Sequence, residues 1–388
     1  MGNFDFQNKT VVLMIKVAML GGAERQALGL ANYLIKKYRC KVHLVATHSN
    51  EATEEFSLFA KDCGITKIDY FGTPSLTIRK EFSFNNLKKT VRAIRYLHHM
   101  KKEISKYNPD ILIPFLNTPS KISSLLYKQV GAKVTFWHQL GLDNYSFDWL
   151  EKKAINNVPF IISNAENGLD IFRKNYNVKE SKLFVLPQYV SIDRKYFDKR
   201  LLKNKFSIPE DSFCIGMIAH YRTEKHQELL IKAFVKINST KKIHLVFLGN
   251  KNNSQETLDK YSNLEKLRTK LMLNDKVSLL YEQPVEEVLN CLDIGVLVSE
   301  IEGTPNVVME YMLYGLPVIA THHDGCIGLL KESEFLISND EQVLVNKISL
   351  LLNNEIIREQ ESKLNTEKIK EYNIDNYISR LTFILNSK

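Results

Sequence analysis

Short apolar runs alternate with amphipathic stretches along the whole chain. This pattern narrows the fold more than any other, because strands joined by helices build parallel sheets. In the first half the runs are TVVLMIK (10–16), KVHLVAT (41–47), ITKIDYF (65–71), DILIPFL (110–116), AKVTFWH (132–138), PFIISNA (159–165) and LFVLP (183–187). The alternation restarts at SFCIGMIAH (212–220) and runs through HLVFLGN (244–250), KVSLLY (276–281), DIGVLVS (293–299), PVIAT (317–321) and EFLIS (334–338). Two doubly wound α/β sheets are expected. Polar, non-periodic residues 188–211 form the junction, giving a first domain at 1–190 and a second at 191–371, and the closing segment TEKIKEYNIDNYISRLTFILNSK reads as helical. A chain of 388 residues suits two domains and hence a cleft.

The composition is that of an ordinary globular protein, 44% hydrophobic and 25% charged. No run of about 18 apolar residues is present and MGNFDFQNKT lacks a signal peptide's features, so a cytoplasmic location is expected. Met1-Gly2 does not make a myristoylation signal, since Phe6 stands where Ser or Thr is needed. Cys40, Cys63, Cys214, Cys291 and Cys326 show no metal-ligand spacing and read as small core residues. A net charge of +9 favours anionic partners: nucleic acid, an anionic membrane surface or phosphorylated small molecules.

In doubly wound sheets ligands bind beyond the carboxyl ends of the strands, so the loops there matter most. After the first strand, Gly21-Gly22 opens a helix and lets the backbone approach a phosphate; a plain tight turn is the bland reading, as neither GxGxxG nor GxxxxGK[ST] is present. After SFCIGMIAH, Arg222 and Lys225 stand at a helix entrance and suit a diphosphate clamp, or simply a solvated charged face.

EGTPNVVMEYMLYGLPVIAT (302–321) places Glu302 in the loop beyond a strand and Glu310 within the following helix, which Pro305 introduces and Gly315 and Pro317 stop. Glu310 sits among Val307, Val308 and Met309, so it is expected to be partly buried and to need partners. One acid at the loop rim suits the reacting end of a ligand, the other a diol such as ribose, and the backbone N–H groups of Asn306, Val307 and Val308 suit the phosphate between them. A capping carboxylate plus a paired core-edge glutamate is the structural alternative. His138 ends AKVTFWH at the sheet's carboxyl edge, with Trp137 sent to the opposite face, and is either catalytic or structural.

RKEFSFNNLKKTVRAIRYLHHMKKEISK (79–106) carries an apolar stripe of Leu87, Val91, Ile94, Leu97 and Ile104 amid basic residues. Such a helix, over 84–107, suits an anionic bilayer or else packs its stripe on the domain core.

On these stretches the chain resembles the retaining glycosyltransferases of the GT-B fold, glycosyltransferase family 4, over nearly its whole length. The most specific part is the E-x7-E signature, whose glutamates fall on Glu302 and Glu310; the GGAER loop, YRTEKHQELLIKAF and FWH also match family patterns. The resemblance implies that Glu310 binds the ribose hydroxyls, that Arg222 and Lys225 hold the donor diphosphate, and that Gly21-Gly22 approaches it from the other domain. It also implies that Glu302 contacts the donor sugar, that His138 lies near the reacting sugar, and that a C-terminal helix at 372–388 packs back on the first domain. His220 stands where many members have arginine, leaving open whether Arg222 or His220 meets the phosphate, and Pro187-Gln188-Tyr189 lacks the glycine of the usual junction.

The expected reaction is transfer of a sugar from a nucleotide diphosphate sugar, UDP-linked by preference, to a hydroxyl of a lipid-linked or other glycan in bacterial surface polysaccharide assembly, such as O-antigen or capsule. A cationic clamp replaces a metal ion and no further cofactor is implied. Peripheral contact with the inner membrane is expected through the basic helix, and binding to nucleic acid is not. Three rivals remain: a GT-B nucleotide-sugar epimerase, a non-catalytic anion- or nucleic-acid-binding protein, and a dinucleotide oxidoreductase, the last disfavoured by the missing GxGxxG.

Overall fold

A computed structural model describes residues 4–72, 76–78, 83–141, 145–251 and 254–387. The chain divides into two compact units, Met1–Ser191 with Ile374–Lys388, and Ile192–Asn373. The first contains a parallel sheet of β1 (Thr10–Ile15), β2 (Lys41–Ala46), β3 (Ile68–Tyr70), β4 (Ile111–Pro114), β5 (Val134–Gln139), β6 (Phe160–Ser163) and β7 (Leu183–Val185). Its order is β3-β2-β1-β4-β5-β6-β7, so the winding reverses between β1 and β4. Near-continuous burial along β1, β4, β5 and β6 reflects helices on both faces.

The second unit repeats the plan with β8 (Phe213–Ile218), β9 (Ile243–Gly249), β10 (Val277–Tyr281), β11 (Ile294–Leu297), β12 (Val318–Thr321) and β13 (Leu336–Ile337). The order β10-β9-β8-β11-β12-β13 puts its reversal between β8 and β11. Every strand expected from the alternation is present, most of them a residue or more shorter than the apolar run that signalled it.

Two local readings change. The stretch 188–211 contains a helix, Lys199–Lys205, capped by the Asp198 side chain. Seven residues are too few for a helical period to show. The closing segment is not one helix: Glu355–Ile369 belongs to the second unit and Ile374–Leu385 to the first. Tyr377, Ile378, Leu381, Ile384 and Leu385 enter the core beside Leu30 and Leu34, with the rings of Tyr189 and Tyr377 5.0 Å apart.

The helix Phe84–Ser105 divides the apolar stripe. Met100 and Ile104 join the core with Ala93, and Leu97 packs partly against it, whereas Leu87, Val91 and Ile94 are 50%, 39% and 59% exposed. Phe84 is exposed too, and Lys88, Lys89, Arg92 and Arg95 flank the row. Residues 79–82 of the expected basic segment lie outside the described residues. All five cysteines are buried and unbridged. Among the described residues no helix is long and apolar enough to cross a membrane.

Candidate active site

The loops at the second reversal point follow β8 and β11, and they are tied together. Glu300 N donates to Glu224 O at 2.8 Å, and Lys225 Nζ donates to the Glu302 carboxylate. Both side chains of that pair are only 15% exposed. Arg222, by contrast, is 52% exposed, with Glu224 3.7 Å away. His220 O accepts from Arg222 N at 2.8 Å and from the Gln227 carboxamide at 2.9 Å, which shapes the turn that presents these cations.

The helix Asn306–Leu313 starts directly after Pro305, whose extended backbone leads into the first turn. Val308 N already donates to Pro305 O at 3.2 Å, and Met309 N donates to the same carbonyl at 3.4 Å. Val308, one of the three amides expected to face phosphate, thus already donates to the residue that introduces the helix, while Asn306 and Val307 stand in the first turn. Tyr311 seats this helix over the reversal point: Ile218 N donates to its hydroxyl at 2.8 Å, and the hydroxyl donates to Gly216 O at 3.3 Å. Gly295 allows the close approach, since a Cβ there would lie 2.4 Å from the Tyr311 ring. Glu310, just over one turn into the helix, is buried as its apolar neighbours required.

A second group at this edge was missed in the sequence. His323 caps the helix Asp324–Leu330, accepting from Cys326 N at 3.4 Å, and its Nε2 lies 3.4 Å from Ser299 Oγ. Burial lowers its pKa below the ordinary imidazole value, with Glu302 opposing and Lys225 reinforcing that effect, so a neutral ring donating to Ser299 fits both contacts. Thr321 Oγ1 accepts from Ser299 N at 3.1 Å and donates to Asn339 Oδ1 at 2.8 Å. The signal for this group was HHDG directly after PVIAT, a strand end that the E-x7-E stretch overshadowed. Gly325 lies so close to the loop after β11 that a Cβ on it would sit 1.4 Å from Gly303 O.

In the first unit Gly21 caps the helix Gly22–Tyr38 with extended backbone. The Glu24 carboxylate folds back toward it, 2.7 Å from where a Gly21 Cβ would lie, as a third-position acid does in a capping box. An acid thus already faces that helix end. His138, at the end of β5, is fully buried: its Nδ1 lies 3.0 Å from Pro114 O, its Nε2 3.2 Å from the Gln188 carboxamide, and its N–H donates to Ser120 Oγ at 3.0 Å. Burial pushes the imidazole down to about 4, partly offset by the Pro114 carbonyl, and the ring packs between Phe115 and Phe136. The alternation is as expected, with Trp137 on the opposite face against Phe172. The ring is a packed, neutral group, not one exposed at the sheet edge.

Two family models match the chain: Glycosyltransferase Family 4 over residues 20–194 and Glycosyl transferases group 1 over residues 198–370. The chain is 24% identical over 368 residues to the Campylobacter jejuni enzyme named GalNAc-alpha-(1->4)-GalNAc-alpha-(1->3)-diNAcBac-PP-undecaprenol alpha-1,4-N-acetyl-D-galactosaminyltransferase, covering 91% of this chain and 92% of that one. Among solved structures it resembles Anabaena HepE in complex with UDP and glucose, at a TM-score of 0.79 and 15% identity over 98% of this chain and 100% of the other. It also resembles a glycosyltransferase from Rickettsia africae, at 0.76 and 18% over 97% and 98%. Two Rossmann-like parallel sheets, with acids and cations gathered at the second reversal point, define a glycosyltransferase of the GT-B class. Within that class the chain belongs to glycosyltransferase family 4.

Proposed function

We propose that this protein transfers a sugar from a UDP-linked donor to a hydroxyl of a lipid-linked glycan, with retention of configuration, in bacterial surface polysaccharide assembly. The observation that carries the reading is the Lys225–Glu302 pair at the reversal point of the second sheet, beside the helix that bears Glu310. Catalysis of diphosphate departure needs fixed positive charge and aligned N–H dipoles where negative charge develops. Lys225, the exposed Arg222 and the amides of Asn306 and Val307 supply them without a metal ion. Glu310 takes the ribose hydroxyls and Glu302 the donor sugar.

A carboxylate already neutralised by Lys225 is a poor nucleophile and a good anchor. Retention therefore proceeds on one face of the sugar, with the leaving phosphate oxygen accepting the acceptor's proton as the new glycosidic bond forms. His138, buried and neutral, positions the β4 and β5 ends of the first unit, which receives the acceptor. The lipid-linked acceptor is supported by the name of the Campylobacter relative, and UDP by the HepE complex. The exposed apolar row of the Phe84–Ser105 helix, flanked by cations, holds the enzyme on the cytoplasmic face of an anionic membrane.

A thermal-shift screen of UDP, GDP and their sugars tests this directly. A ligand at a hundred times its Kd stabilises the fold by about 2.7 kcal/mol. UDP-sugars are expected to raise Tm in the unmodified protein and not in Lys225→Met; a screen in which no nucleotide sugar raises Tm rejects the reading.

A further inference from the structure

Between β5 and the helix Trp149–Asn157 the chain makes a turn that the reaction at the second sheet does not explain. Phe147 adopts φ 50°, a left-handed conformation that a bulky side chain avoids, and its ring is still 57% exposed. Trp149, two residues on, is 47% exposed. Strain of this kind persists only where the surroundings over-determine it, and here they do. Glu151 Oε1 accepts from Phe147 N at 2.9 Å and from the Tyr176 hydroxyl, while Asp148 caps the helix by accepting from Leu150 N at 2.7 Å. Lys121 Nζ, buried, lies 2.6 Å from Asp148 Oδ2 and 4.0 Å from Glu151. A buried ion network thus fixes a turn whose visible product is two aromatic rings held out in solvent.

Those rings border an open groove of about 1120 Å³. Tyr176 backs Phe147, the two rings lying 13° from parallel with centroids 5.9 Å apart, and Lys153 Nζ sits 5.1 Å from the Trp149 ring centroid. Lys152 and the exposed Asn156 and Asn175 complete the wall. Aromatic faces meet the C–H face of a pyranose, whereas carboxamides offer a donor and an acceptor side by side, the pattern that adjacent sugar hydroxyls or an acetamido group require. A membrane anchor would place such rings on a convex surface with cations and no amides.

We infer that this groove is a carbohydrate-binding subsite, which holds a pyranose unit of the glycan acceptor away from the reacting hydroxyl. The inference rests on the glycan-acceptor reading above.

The chain has two tryptophans, and Trp137 is fully buried, so a saturable emission change on adding sugar reports Trp149. The probes are glucose, N-acetylglucosamine and N-acetylgalactosamine oligosaccharides of two to four units. At least one is expected to bind saturably, with Kd raised tenfold or more in both Trp149→Ala and Phe147→Gly, the weakening being read by calorimetry. Phe147→Gly separates binding from folding, because glycine accepts φ 50° freely and its Tm should hold or rise while sugar binding is lost. The inference is overturned if no oligosaccharide binds, if both variants bind as the unmodified protein does, or if the two substitutions weaken binding to phosphatidylglycerol vesicles in place of sugar. UDP-sugar thermal shifts run on the same variants keep the readings apart: they persist if only this groove is misassigned, and they are absent from the unmodified protein if the donor reading itself fails.

Discussion

Lys225 and Glu302, which stand 77 positions apart, form an ion pair that joins the loop after β8 to the loop after β11, and each side chain is only 15% exposed. Neighbouring strands at the reversal of a doubly wound sheet bring the two loops side by side, so the pair is a product of strand order.

Removing either partner leaves the other charge poorly compensated. Lys225→Met and Glu302→Gln are each expected to destabilise the second unit by roughly 2 kcal/mol, less than a fully buried pair because some water reaches both groups. Transfer by Lys225→Met should fall at least a hundredfold. Urea unfolding of both single variants and the double variant measures the coupling; strictly additive losses show that the two side chains do not act as a pair.

Gly325→Ala tests the packing under the Glu302 loop. A methyl group there overlaps Gly303 O, a backbone atom that moves only if the whole turn moves. Transfer is expected to drop by tenfold or more even though residue 325 bears no reactive group. Gly328→Ala, where a Cβ meets nothing within 4 Å, serves as the control and should retain full activity.

Acid should weaken the fold through histidines that are buried neutral. Burial lowers His138 and His244 from the model-compound 6.5 to about 4. Between these values the unfolded chain takes up a proton that the folded one refuses, so stability falls as pH drops from about 6.5 to about 4. The slope approaches 1.4 kcal/mol per pH unit for each group. Chemical denaturation across this range, compared with His244→Gln, should show the variant's slope flattened by close to one proton; an unchanged slope refutes the assignment.

Leu87→Asp with Ile94→Asp removes the exposed row of the basic helix without touching Ala93, Met100 or Ile104. Binding to phosphatidylglycerol vesicles is expected to fall tenfold or more, since each apolar side chain buried in the interface contributes about 1.5 to 3 kcal/mol. Tm and the response to UDP-sugars should not change. Sedimentation with vesicles at rising salt measures the effect, and retained binding in the double variant assigns the row another role.

The periodicity of apolar residues determined the strands, the two sheets and the placing of Glu302 in a loop and Glu310 in a helix, because these depend on which neighbours along the chain share a face. The five cysteines, which lack metal-ligand spacing, likewise read as core residues, and all are buried. Tertiary structure alone decided who meets whom. It paired Lys225 with Glu302, buried the His138 ring between Phe115 and Phe136, and brought Ser299 to His323. It also split the stripe of the basic helix into a packed half and a bare half. Strand order and helix docking set such contacts across tens of residues, and no local period carries that information.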